Sequence, residues 1–244
     1  MPRFFLSAPI TVGDAVTLTG DDAKHISYSL RMAAGEELTL LDGEGGVFRA
    51  RLSALDGTSV KAEVLEALPA KAESPIRIHL YQAYPKSDKL ETIIQKAVEL
   101  GASAITPFES ERCVKRPKAD KVTHVTERHN RIAKEAAGQS GRDRLPTVHT
   151  PISFDEMIKE VSRFPLCLFC YEGEGTFSIK EICASHSDAR EIAVVVGSEG
   201  GFSAKEAEAA RTAGLAMTGL GNRILRCETA PLYALSALSF FYEL

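Results

Sequence analysis

Apolar positions along this chain follow two different rhythms, and the change falls near residue 75. Before it, short apolar runs at 15–18, 37–41, 47–52 and 59–65 read as strands, with Asp42–Gly43 and Asp56–Gly57 as hairpin punctuation. One short helix fits within 22–32. Strands this short suit a small compact barrel over residues 1–70 better than a sandwich. The stretch 68–75, LPAKAESP, has the proline and small-residue composition of a linker.

After the linker, strands alternate with helices. Residues 76–82 set Ile76, Ile78 and Leu80 against Arg77 and His79, the alternation of a strand. A helix starting at Asp88 carries Leu90, Ile93, Ile94, Ala97 and Val98 as its apolar stripe and stops at Gly101. A strand at 102–107, a helix at 124–137, and then helix 154–161, strand 166–171, helix 179–184 and strand 192–196 continue the pattern. Such alternation predicts an α/β layer fold with a mainly parallel sheet over residues 75–244. Val194, Val195 and Val196 belong to an apolar run expected to be buried on both faces. Gly197, Gly200 and Gly201 follow it, and Ser203 with Glu206 has the spacing of a capping box that starts a helix ending at Gly214. A second tight turn and an apolar C-terminal helix complete the chain.

Composition narrows the picture. A chain of 244 residues that is 44% hydrophobic and 25% charged has enough apolar material for a real core. No run approaches the ~20 apolar residues of a membrane span, and the first residues lack a secretory pattern, so the expected location is cytoplasmic. Five scattered cysteines make no disulfide framework. Cys167 and Cys170 are three apart on a strand and so face opposite ways, which favours core packing over a shared metal. The net charge of −4 is uneven: residues 112–144 hold ten Lys/Arg against four Asp/Glu, a local +6, and the remainder carries −10. Charge alone leaves this segment equally compatible with a directed contact to an anion and with a solvated loop.

Candidate chemistry sits in three turns that follow strands, since ligands of open parallel sheets bind beyond the carboxyl ends of the strands. They are Tyr84-Pro85-Lys86-Ser87, Tyr171-Glu172-Gly173-Glu174-Gly175 and Gly197-Ser198-Glu199-Gly200-Gly201. The last lacks the spacing of a dinucleotide fingerprint and the lysine of a triphosphate loop, so neither common nucleotide site is expected. Close behind it, Leu220-Gly221-Asn222-Arg223-Ile224-Leu225-Arg226-Cys227-Glu228 leads into the last helix. Two adjacent flexible loops, each feeding a helix N-terminus, can enclose a ligand. Arg226 with Glu228 is equally readable as a local ion pair at a helix start.

These residues carry a resemblance. GSEGGFSAKE followed by LGNRILRCETAPLYAL resembles the SPOUT-type methyltransferases, and most closely the RsmE family, which methylates N3 of a uridine in small-subunit (16S) ribosomal RNA. The likeness spans nearly the whole chain: Arg3-Phe4-Phe5, His25 through Arg31 with Gly35, Lys86-Ser87-Asp88-Lys89, Gln95 to Gly101, and Glu135-Ala136-Ala137 with Gln139-Ser140-Gly141-Arg142 match in order. Ser198 stands where the family usually has proline, which would stiffen the turn.

The resemblance implies a SPOUT-type α/β knot, with a C-terminal trefoil knot in residues 75–244 and a PUA-like, RNA-binding β-barrel in 1–70. It implies a cytoplasmic, homodimeric ribosome-biogenesis enzyme that uses S-adenosylmethionine (AdoMet) and no metal, with 16S ribosomal RNA or the small subunit as partner. The cofactor would be held by Tyr171, Glu172, Gly197, Ser198, Gly200, Gly201, Phe202, Leu220, Gly221, Ile224 and Leu225. Arg226, Glu199 and Glu228 would be catalytic, Arg226 against the uracil oxygens and the glutamates in deprotonation or positioning. RNA would meet Arg31, Lys86, Arg112, Lys115, Arg116 and Arg142. The competing expectations are a SPOUT enzyme for another RNA target, a ribose 2′-hydroxyl or a tRNA base, and an RNA-binding assembly factor without catalysis.

Overall fold

The computed structural model describes every residue of the chain except Ser7, Lys115, Pro117 and Lys118. It divides into two compact units, Met1–Glu73 with Ala137–Leu145, and Ser74–Ala136 with Pro146–Leu244.

In the first unit β1 (Arg3–Phe5), β2 (Ala15–Thr19), helix α1 (Gly20–Lys24), a π-helical turn (His25–Ser29), β3 (Glu37–Leu41), β4 (Val47–Leu55) and β5 (Ser59–Leu68) follow one another. The strands form one sheet in the order β1-β3-β4-β5-β2, a half-barrel. The expected strands are present, but β1 was not foreseen. It has three residues and joins the edge by pairing parallel to β3, a tertiary choice that no local pattern announces. Both hairpin aspartates fold back on their own turns: Asp42 accepts the N–H groups of Glu44 and Gly46, and Asp56 those of Thr58 and Ser59. Phe4, Ile26, Leu38, Leu40, Leu52, Val60 and Val64 fill the inner face.

The stretch read as a linker is tied down. The Asp143 carboxylate accepts the N–H groups of Lys71 and Ala72, and Glu73 accepts those of Asp143 and Arg144. Arg142, expected to meet RNA, is buried instead, and its Nε and one terminal nitrogen grip the two oxygens of Glu73 at 2.9 and 2.7 Å. A guanidinium spent in that way has no face left for phosphate, so Arg142 is a structural residue.

The second unit contains β6 (Arg77–Ala83), α2 (Lys89–Glu99), β7 (Ala102–Glu109), α3 (Val122–Ser140, whose last turn belongs to the first unit), β8 (Thr147–Val148), β9 (Ile152–Ser153), α4 (Phe154–Val161) and β10 (Leu166–Cys170). Then come β11 (Phe177–Ser178), α5 (Ile179–Ser185), β12 (Glu191–Val196), α6 (Ala204–Thr212), β13 (Ala216–Gly219) and α7 (Thr229–Tyr242). The sheet runs β11-β13-β10-β12-β6-β7-β8, with β9 beside β7, and its strand pairs are parallel. The strands with the densest apolar runs, β10 and β12, lie inside it, as burial on both faces requires. Cys167 and Cys170 are buried in β10 as free thiols.

Serine capping boxes start α4, α5 and α6, each with a glutamate three residues on, worth about 1 kcal/mol apiece. Asp88 precedes α2 without a side-chain cap bond; Glu91 pairs instead with Arg128 of α3 at 2.9 Å. Strand β13 is the main omission of the sequence reading, which saw only a turn there. Four residues, one of them glycine, give no periodicity, yet β13 pairs with both β10 and β11. Among the described residues, no helix is long and apolar enough to cross a membrane.

Candidate functional site

Because the strands of the second unit are parallel, the turns after β10, β12 and β13 open at one edge. They enclose a cleft of about 950 Å³, with Lys89 and Arg112 also in its wall. The β12–α6 turn is built from glycines for steric reasons. A Cβ on Gly197 would lie 3.1 Å from the Gly201 Cα, and one on Gly200 would lie 2.9 Å from the Arg112 Cβ. Gly201 has φ of +61°, a conformation that costs other residues about 1 kcal/mol or more, and donates its N–H to the Ser198 carbonyl at 2.9 Å. The turn is tied to its surroundings from two sides: buried Gln82 Nε2 donates to the Gly197 carbonyl at 3.1 Å, and an Arg112 guanidinium nitrogen donates to the Gly200 carbonyl at 2.8 Å. Phe202 anchors its end in an aromatic cluster with Phe169 and Phe108, at ring centroids of 4.3 and 6.3 Å.

Opposite this turn, residues 220–228 leave β13 and run into α7. Ile224 lines the cleft with 83% of its surface exposed, a large apolar side chain that the described residues leave uncovered. The Arg226 carbonyl accepts the N–H groups of Thr229 and Ala230, which starts α7 and fixes this residue at the cleft wall. On the third side, Tyr171 donates its backbone N–H to the Thr218 carbonyl, and its ring lies 5.6 Å from the Arg211 guanidinium carbon. Gly173 beside it leaves room for the Tyr171 ring in this position, which a Cβ there would displace.

The charged groups of the cleft are organised by Lys89. Its Nζ lies 3.0 Å from Glu199 Oε1 and 3.1 Å from Glu228 Oε2. Both Glu199 oxygens also accept the Lys86 N–H, at 3.0 and 3.1 Å, which is presented by a turn in which Ser87 has φ of +56°. For Glu199, burial is the largest single influence and would raise its pKa. Donors around it, its own N–H, Lys89 and the Lys86 N–H, outweigh burial and hold the carboxyl below the usual range. Glu228 is likewise held low against burial, by the Cys227 thiol, its own N–H and Lys89. Both are anions that resist protonation. The local ion pair that the sequence allowed between Arg226 and Glu228 is not formed: Glu228 pairs with Lys89, and among the described residues Arg226 has no ion-pair partner.

All the residues expected to hold a cofactor line this one cleft, together with Arg226 and Glu199; Glu228 stands beside it through Lys89. The residues expected to meet RNA belong to several different elements. Lys86 is exposed at the β6–α2 turn, Arg112 packs on the glycine turn, and Arg116 pairs with Glu109 at 3.6 Å. Arg31 belongs to the first unit, where it is exposed with φ of +53°, and Lys115 lies outside the described residues. Lys89, Thr176, Asn222, Arg223 and Cys227 also line the cleft; none had an expected role of its own, although Asn222, Arg223 and Cys227 stand in the second candidate loop. Lys89 had two signals, its place in the first helical turn after a strand whose end faces the cleft and its membership of the matching segment Lys86-Ser87-Asp88-Lys89. Among the described residues, no group of three or more histidine, cysteine and carboxylate side chains is arranged to hold a metal.

Residues 72–239 match the model of the RNA methyltransferase domain, and residues 18–65 match that of the RNA methyltransferase PUA domain. The chain is 36% identical to the ribosomal RNA small subunit methyltransferase E of Bacillus subtilis, over 100% of this chain and 98% of that one. Among solved structures, the ribosomal RNA small subunit methyltransferase E of Neisseria gonorrhoeae, bound to S-adenosyl methionine, superposes with a TM-score of 0.88 at 33% identity, over 99% of this chain and 98% of that one. A putative methyltransferase from Legionella pneumophila, in complex with the same cofactor, gives 0.88 at 30% identity, over 98% and 96% of the two chains. This chain belongs to the RNA methyltransferase family that contains the ribosomal RNA small subunit methyltransferase E proteins.

Proposed function

We propose that the chain transfers a methyl group from AdoMet to N3 of a uridine in 16S ribosomal RNA, working in the cytoplasm on the RNA or the small subunit. The observation that carries this reading is the joining of both glycine-bearing loops in one cleft with Arg226, which has no ion-pair partner among the described residues. The residues fit the cofactor. A cleft of about 950 Å³ is roomy enough for a nucleoside carrying an amino acid, the glycines allow close backbone approach, and Leu220, Ile224 and Leu225 supply apolar surface for a base. Ile224, so exposed in the protein alone, gains a partner on binding. When bound, AdoMet supplies a methyl already activated by its sulfonium, so no metal is called for.

The protein's own part is alignment and charge. Uracil N3 carries a proton and is a poor nucleophile until that proton leaves. Arg226 stabilises the negative charge that then spreads to the uracil oxygens. Glu199 and Glu228, held ionised and occupied by donors, suit positioning better than proton removal. The pairing edge of uracil must be free, so the base is unpaired or flipped out when it reacts.

The trefoil knot belongs to the same reading. It is supported by the strand order β13-β10-β12-β6 and by α7, which leaves the 220–228 loop and returns to pack on α2, α5, β12 and β6. Homodimerisation through this domain is supported by Tyr233, Phe240 and Phe241 on α7, exposed by 45%, 73% and 38% while Leu235 and Leu238 fill the core. The first unit is read as an RNA-contacting domain that includes Arg31.

Calorimetry tests the cofactor half of the proposal: one AdoMet is expected per chain, and absence of binding would favour a non-catalytic assembly factor. RNA binding is expected to weaken steeply with salt, and Arg31→Ala and Arg116→Ala are each expected to lower the slope of log K against log salt by about 0.7–0.9. An unchanged slope in both variants would remove these residues from the RNA surface.

A further inference from the structure

We propose that Lys89 is a positioning residue for methyl transfer, joining the two loops of the cleft through Glu199 and Glu228 and balancing their charge beside Arg226. The inference rests on the methyltransferase reading and adds to it a residue that makes neither a loop nor a helix cap. Three segments far apart in sequence meet at this ammonium: the start of α2, the β12–α6 turn through Glu199 at 3.0 Å, and the residue before α7 through Glu228 at 3.1 Å. The Lys86 N–H holds Glu199 from the turn just before α2, so the β12–α6 loop is gripped twice by one short stretch of chain. Each carboxylate sits on a different loop, and one side chain therefore sets the distance between them.

Lys89 also balances charge. Lys89 and Arg226 are two cations, and Glu199 and Glu228 two anions, so the group is neutral. The reaction builds a uracil anion here and brings RNA phosphates near, so an uncompensated carboxylate would oppose both. Lys89 takes up both carboxylates, and this leaves Arg226 free to face the substrate instead of closing on Glu228. Without Lys89, Glu228 is left open to Arg226, two residues before it in the chain, and the cation needed for the reaction is drawn off.

The test compares Lys89→Met, Lys89→Arg and the double variant Lys89→Met with Glu228→Gln, by steady-state kinetics on ribosomal RNA and by calorimetry with AdoMet. Lys89→Met is expected to lower kcat by about tenfold or more and to weaken AdoMet binding, the size that one displaced charge at contact distance produces. Lys89→Arg is expected to restore most of both. The double variant is expected to recover part of kcat, because it deletes the stray carboxylate, while AdoMet binding stays weak because the tie is still missing. A structural role alone would not give that split. Parent-like kcat and affinity in Lys89→Met overturn the proposal, and so does a double variant no faster than Lys89→Met. Should Lys89→Met not fold, Lys89→Gln takes its place in the same comparison. The parent protein is assayed alongside: if it forms no methylated nucleoside, the methyltransferase reading fails, whereas an active parent with unaffected Lys89 variants removes only this inference.

Discussion

Arg226→Ala is expected to cut kcat by about 10²–10³-fold, the usual loss when one preorganised donor to a developing anion is removed. AdoMet affinity should stay within about twofold, because the contribution of this side chain is made in the transition state. The structural grounds are that its backbone is pinned by the start of α7, its side chain lines the cleft, and Glu228, its sequence neighbour, is taken by Lys89. Arg226→Lys keeps a charge but loses the planar fork, and an intermediate rate is expected. Kinetics and calorimetry on the same preparation separate the two effects. Near-parent turnover in Arg226→Ala with unchanged AdoMet binding would exclude this arginine from the chemistry.

Gly197→Val should have the largest effect on cofactor binding, a loss of about tenfold or more in AdoMet affinity, since 1.4 kcal/mol already gives a factor of ten. The added Cβ would meet the Gly201 Cα at 3.1 Å and the Gly201 carbonyl carbon at 3.2 Å, with the Phe202 ring at 3.3 Å. The first two are backbone atoms of the same tight turn and cannot swing aside as a side-chain tip can, and valine adds two further carbons. The turn must open, and the Gln82 and Arg112 bonds that define it are strained together. Gly138→Ala in α3 is the control: nothing lies within 4 Å of the added Cβ, and AdoMet affinity should not change. Parent-like affinity in Gly197→Val would mean that this turn does not hold the cofactor.

What could be read from the chain alone follows from which interactions are local. The central strands β10 and β12 were visible because burial on both faces demands unbroken apolar runs, and α6 because Ser203 and Glu206 satisfy one another three residues apart. The glycines after β12 marked a candidate loop, but the cofactor residues around it were implied by the resemblance to the RsmE family, since a glycine turn by itself also serves as a tight connection. Strands β1 and β13 were not visible, since three or four residues take their structure from a distant neighbour. Arg142 was misread because a basic stretch looks alike whether its charge meets solvent or a carboxylate 69 residues away. Lys89 was overlooked for the same reason: its partners lie 110 and 139 positions further along the chain, and only the folded sheet joins them.

The central claim is the product. Small-subunit RNA lacking the modification is incubated with the protein and AdoMet carrying a labelled methyl group, digested to nucleosides and resolved by mass spectrometry. Label is expected in 3-methyluridine, lowered by Gly197→Val when AdoMet is below saturation and strongly reduced by Arg226→Ala. Label in a 2′-O-methylated nucleoside, in another base or in no nucleoside at all would contradict it.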